Sequence, residues 1–297
     1  MLKKLLHPSN RGIRVVVGLL LAGLFFIQCT RTGASRSSRF VTTINGQTVG
    51  SHDDALRKKI DRLAREDHIA LLELCVDNYD RQYRDYTCTL VKQEVIRGTR
   101  KGEQWMAVKF MEKPFSVAMK WLGKTPEGHS LYVPIGDRVL YMEGKHNNQM
   151  LVRPSNGILR ALVGTQKRPP DGKDAMKNTL RPVNLFGFRR SMKSLLGVYR
   201  EAKKHGHLKQ AFGGYKKVAG REAVVLVRHL PPENDYPAHK TEIFIDVQML
   251  VPIAVFGYGW DGNAEPITRY IYKDIRFNVG LADEDFTPEA NDMAEPR

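Results

Sequence analysis

Three cysteines in 297 residues are too few for a disulfide scaffold, and the absence of Cys-x-x-Cys leaves dithiol redox chemistry without its nucleophiles. Gly-x-Ser-x-Gly and His-Glu-x-x-His are also absent, so the nucleophile elbow of serine hydrolases and the helical zinc motif of metalloproteases are missing. "AMKWLGKT", residues 118–125, ends like a phosphate-binding loop. Ala118, however, stands where that loop needs its first Gly, and Pro126 and Gly128 follow where a helix must begin. "HGH" at 205–207 offers two imidazoles, but beside Lys203 and Lys204 at a helix end it suits cations that cap carbonyls. No motif calls for a cofactor or a metal. No single-strand-binding signature accompanies the basic residues, which argues against nucleic acid. Acidic residues such as Glu242 and Asp246 keep one catalytic reading open, a carboxylate-dependent hydrolase.

What is abundant is positive charge: 47 Lys and Arg against 32 Asp and Glu, a formal +15. Such an excess favours contact with a polyanion, and an anionic membrane surface is the natural one for an envelope protein. Part of it lies at the start. Lys3, Lys4, Arg11 and Arg14 precede "VVVGLLLAGLFFI", an apolar run over residues 15–27. A basic region followed by an apolar stretch of 7–15 residues is an export signal. Residues 1–34 are therefore expected to be a signal peptide or lipoprotein signal, and the mature protein to lie in the periplasm or cell envelope. Three fates stay open: acylation at Cys29, cleavage after "TGA" before Ser35, or retention as an uncut anchor. Residues 35–51, rich in Ser, Thr and Gly, read as a flexible tether.

Export makes a disulfide the default for an isolated pair of cysteines. Cys75 and Cys88 close a loop whose bridge would contribute about 3 kcal/mol. The alternative is two unpaired, buried thiols. A helix or two tandem helices are expected over about 52–80, with Ser51 and Asp54 as a capping box. Leu56, Ile60 and Leu63 form a helical stripe that Asp67 interrupts and Leu71, Leu74 and Cys75 resume. From Tyr83 to Val152 the period becomes two, with "GDR" and "GKHNN" as hairpin turns between strands. In that stretch Phe115, Val117, Met119 and Trp121 share one face. Residues 153–190 read as an irregular connection with short helical turns, 191–205 as a helix, and 215–277 as a second group of strands. A single α+β domain over 52–289, followed by a tail at 290–297, accounts for this order.

"ELCVDNYDRQYRDYTCTLVKQE", "KFMEKPFSVAMKWLG" and "YIYKDIRFNVGLADEDFTPE" together resemble an exported bacterial family of unknown function, domain-of-unknown-function family 1571. One stretch departs from it. Where the family has a polar run containing His and Pro, "AMKNTLRPVNLFGF" carries Leu180, Leu185 and Phe186. The order of elements is also similar to the lipoprotein-carrier fold of the bacterial envelope. That likeness implies a strongly curved antiparallel sheet, a half-open barrel, with a long N-terminal helix and a helical lid over an apolar cavity. The expected function is non-catalytic binding of a lipid or acylated peptide, with Phe115, Val117, Met119 and Trp121 lining the groove. A ligand-free structural or interaction module of the envelope is the competing expectation.

Overall fold

The computed structural model describes residues 43–44, 47–48 and 50–296. The expected signal, Cys29 and most of the tether lie outside the described residues. The chain divides into two units, Met1–Thr48 and Val49–Arg297. In the first, β1 (Thr43–Ile44) pairs antiparallel with β2 (Gln47–Thr48).

The second unit begins with α1 (Gly50–Glu66) and α2 (His68–Gln82) in tandem. The interruption at Asp67 is a cap: its carboxylate accepts from the Ala70 amide at 3.0 Å and starts α2. The strands β3 (Asp85–Ile96), β4 (Thr99–Arg100), β5 (Gln104–Met111), β6 (Ser116–Trp121), β7 (Gly136–Met142) and β8 (Met150–Pro154) follow. Next come α3 (Gly157–Val163), β9 (Gln166–Arg168), two 3-10 turns and α4 (Phe188–Lys204). The chain ends with β10 (Lys209–Val218), β11 (Arg221–His229), β12 (Lys240–Asp246), β13 (Pro252–Tyr258) and β14 (Thr268–Phe277).

All pairings are antiparallel, in the order β10-β11-β12-β13-β14-β3-β5-β6-β7-β8-β9, with β4 on β3. The two strand groups are joined where β14, late in the sequence, pairs with β3. The sheet is open and curls. Strands nine places apart border one cavity, which a flat sheet would spread over about 40 Å. Register shifts at Phe212/Tyr215, Lys273/Arg276 and Gly136/Arg138 supply the bends. The expected α+β half-open barrel is thus the observed fold.

The helices pack on the inner face through a cluster of rings. Phe188 lies 4.9 Å from Tyr86 and 4.7 Å from Tyr272, centroid to centroid. Gly187, at φ +107, turns the chain into α4; a Cβ there would stand 2.7 Å from the Phe110 ring. On the outer face Phe286 and Met293 cover Met111, Ala118, Leu140 and Leu151. The domain consequently runs past 289, because Met293 is buried and Arg153 donates to the Asp292 carbonyl at 2.6 Å.

Two expected boundaries move. "HSLYVPI" at 129–135 lies outside every strand apart from one isolated bridge, Lys124 to Ser130. "GDR", read as a turn, opens β7. Gly136 is opposite Pro154 there, and a Cβ on it would meet Val152 at 2.6 Å.

Candidate functional site

On β3 the alternation that places Cys88 and Leu90 inward carries on to Lys92 and Glu94. Across the sheet, residues in register extend that face. Trp121, Met106, Leu90 and Tyr272 form one row, and Gln104, Lys92, Tyr270 and Val255 the next. Met119, Val139 and Val152 form a third. These rows border a cavity of about 950 Å³. Its roof comprises Leu159 and Val163 of α3, the segment 174–186, and Leu195 and Val198 of α4. Leu180, Leu185 and Phe186, the residues that depart from the family pattern, all border it.

The mouth is apolar. Ile135 is 73% exposed, and Leu180 and Leu185, which also border the cavity, are exposed. On α3, Ile158 and Leu162 add further uncovered aliphatic surface. Arg168, Lys177 and Arg181 stand around the opening with a single acid among the lining residues there, Asp174.

A buried polar cluster ties roof to floor. Lys92 Nζ lies 3.3 Å from Glu94 Oε2 and donates to Thr179 Oγ1 at 3.1 Å. The Tyr270 hydroxyl donates to Glu94 Oε1, and the Leu180 amide donates to Oε2 at 3.4 Å. Burial, then the Glu94 carboxylate, push the Tyr270 pKa well above that of an ordinary phenol, so the hydroxyl stays a donor. Gln104 accepts from Trp121 Nε1 at 2.8 Å and fixes the indole at the cavity wall. Arg228, on β11, also borders the cavity and is 1% exposed.

Of the four residues expected to line a groove, Met119 and Trp121 do so. Phe115 and Val117 lie deeper in the core, at 1% and 0% exposure. Phe115 packs on Phe110 and Tyr141 and under the Arg190 guanidinium. Sequence reasoning missed Lys92, Glu94 and Arg228. The signal was available in the alternation, since each follows core residues at a spacing of two. The expected Cys75–Cys88 bridge is not formed; both are free, buried thiols. Burial raises Cys75 to about 12 and pushes Cys88 higher, so both stay protonated thiols in the folded domain. Core packing, with both cysteines in it, holds α2 to the sheet instead.

Glu242 and Asp246 do not converge. Glu242 meets Lys240 and the Tyr258 hydroxyl, each at 3.1 Å, while Asp246 pairs with Arg221 and caps the turn at 248–249. His205 contacts Glu201 and His207 contacts Tyr236, at 2.8 and 3.2 Å. Among the described residues no three His, Cys, Asp or Glu gather as a metal site, and no helix is long and apolar enough to cross a membrane.

Several solved structures are similar in outline. The complex of MucA and MucB from Pseudomonas aeruginosa matches with 15% identity and a TM-score of 0.40, over 74% of this chain and 60% of the other. A putative outer membrane lipoprotein-sorting protein domain from Vibrio parahaemolyticus matches with 14% identity and a TM-score of 0.30, over 74% and 97%. The Mycobacterium tuberculosis lipoprotein LppX matches with 8% identity and a TM-score of 0.34, over 72% and 96%. This chain spans about three fifths of the MucB chains it matches. A search of curated proteins gives no match. The model of a family described as protein of unknown function (DUF1571) matches residues 83–294, and the chain belongs to that family.

Proposed function

We propose that the protein binds the acyl chain of a lipid or acylated peptide, without catalysis, between the curled sheet and its lid. The observation that carries this reading is the cavity of about 950 Å³, walled by Leu90, Met106, Met119, Val139 and Phe186 and opening through exposed aliphatic residues. A cavity of that size falls within the range of small-molecule sites. Each methylene moved from water into it gains about 0.8 kcal/mol, so a dozen give roughly 10 kcal/mol before the costs of ordering. Methionines in the wall adapt to chains of different shape.

The mouth supports a second part of the reading, that the protein collects its ligand at an anionic membrane surface in the cell envelope. Arg168, Lys177 and Arg181 would meet the lipid head groups while Ile135, Ile158 and Leu162 enter the interface. The basic, apolar start of the sequence supports export. The engagement of Glu242 and Asp246 with separate partners weighs against a carboxylate-dependent hydrolase.

Titration with a long-chain fatty acid tests the binding. Trp121 borders the cavity, so its fluorescence should shift, and the Trp121→Phe variant should lose that shift. Met119→Glu, which puts a carboxylate in the apolar wall, should abolish binding and leave the circular dichroism spectrum unchanged. Undiminished binding by a folded Met119→Glu variant would move the ligand elsewhere, and no binding by the wild type would favour a structural module.

A further inference from the structure

Arg228 is a charge without a counter-charge. It is 1% exposed and among the largest fully buried side chains of the domain. Its Nη2 donates to Thr241 Oγ1 at 3.0 Å, and its Cζ lies 4.9 Å from the Tyr199 ring centre. The Nε and Nη1 nitrogens, which carry three of the five guanidinium N–H bonds, meet no acceptor. Among the described residues no carboxylate forms a salt bridge with it. The nearest acid in sequence on the neighbouring strand, Glu242, alternates to the other face and is held by Lys240 and Tyr258. Burial lowers the pKa of Arg228, but a guanidinium starts so high that it stays charged.

A buried, unpaired guanidinium is among the least favourable groups a core can hold. The Tyr199 ring offsets part of this through its π face, and Tyr199 is itself fixed by its hydroxyl, 3.2 Å from His68 Nδ1. Three N–H donors are thus left over on a side chain that borders the cavity. They are the arrangement that recognises an oxyanion, for which arginine is better suited than lysine.

Resting on the acyl-binding reading above, we propose that Arg228 anchors an oxyanion at the head of the ligand, with Thr241 and the Tyr199 ring holding the guanidinium in place. The carboxylate of a fatty acid and the phosphate of a single-chain phospholipid share this chemistry. The cavity would then have two recognition elements: an apolar wall that takes chain length and one charge that takes head-group type.

The test compares palmitate, lysophosphatidate with a palmitoyl chain, and hexadecanol, each titrated into the wild type and into Arg228→Met. The wild type should bind one or both of the anionic ligands at least tenfold more tightly than the alcohol. Whichever anion is preferred identifies the source of the oxyanion. In Arg228→Met the acid-over-alcohol preference should collapse to within about twofold, while hexadecanol binding stays as it was. Equal affinity of wild type for palmitate, lysophosphatidate and hexadecanol would overturn the anchor and leave the cavity reading intact. Failure of all three to bind would overturn both. A preference for anions that persists in Arg228→Met would assign the charge recognition to another residue. The wild-type comparison stands even if Arg228→Met does not fold.

Discussion

Removing the Glu94 carboxylate alone should destabilise the domain more than removing it together with its partner. At 3.3 Å and an effective dielectric near 20, the Lys92–Glu94 attraction is about 5 kcal/mol. Taking both ions out of water costs several kcal/mol each, so the intact pair is close to neutral for stability. Glu94→Leu strands the Lys92 ammonium with Thr179 as its hydrogen-bond partner and orphans the Tyr270 hydroxyl and the Leu180 amide. A buried charge left unpaired costs about 3–5 kcal/mol. Lys92→Met costs less, because Glu94 keeps the Tyr270 and Leu180 donors. The double variant carries no unpaired charge, and its cost should shrink to the orphaned Tyr270 hydroxyl and Leu180 amide, about 1–3 kcal/mol each. Urea denaturation of the four proteins measures the cycle, and an interaction energy above about 2 kcal/mol is expected. Limited trypsin digestion should also cleave after Lys177 faster in Glu94→Leu, since the cluster holds that segment to the floor. Additive effects within about 0.5 kcal/mol would refute the claim that the two ions act as one buried unit.

Phe188→Ala, at a ring that packs on Tyr86, Tyr272 and Phe277, should lower unfolding free energy by about 3–5 kcal/mol, read from the same denaturation assay. Burial lowers the pKa of His68, whose Nε2 lies 2.9 Å from the Ala64 carbonyl and whose Nδ1 faces Tyr199. Its contribution is fully present above the unfolded value of about 6.5 and is lost as pH falls through that value towards the lower folded one. The wild type should therefore lose more stability than His68→Gln between pH 7.5 and 5.5, and parallel pH profiles would contradict this. Cys75 and Cys88 should resist alkylation in the folded protein and both react in denaturant without reductant, as intact mass will show.

Much of this fold is legible because its signals are local. Asp67 marks the junction of α1 and α2, and the period of two around Cys88 and Met119 assigns the inward face of β3 and β6. The half-open barrel itself came from the likeness of the element order to the lipoprotein-carrier fold, since periodicity does not report which strands pair at a distance, as β14 and β3 do. Errors fall where partners decide. Gly136 looks like a turn until Val152 approaches it, and "HSLYVPI" looks like a strand but forms one isolated bridge. Cysteine spacing gives a loop length and says nothing about how α2 crosses the sheet, so the bridge did not follow. Phe115 and Met119 alternate identically, yet one is covered by Arg190 and Tyr141 while the other meets open space. The position of the roof, set by residues about 60 positions later in the chain, makes that difference. The alternation through Val224 and Leu226 points Arg228 inward, but a charged residue at the end of an apolar strand reads as an exposed end unless α4 is known to lie over it.

The most direct test of acyl binding is a native mass spectrum of the protein extracted from cell envelopes with its ligand retained. The wild type should carry a mass increment matching an acyl-chain lipid or acylated peptide, and a folded Met119→Glu variant should lack it. A wild-type protein that emerges without ligand, and takes up none from lipid vesicles, would contradict acyl binding.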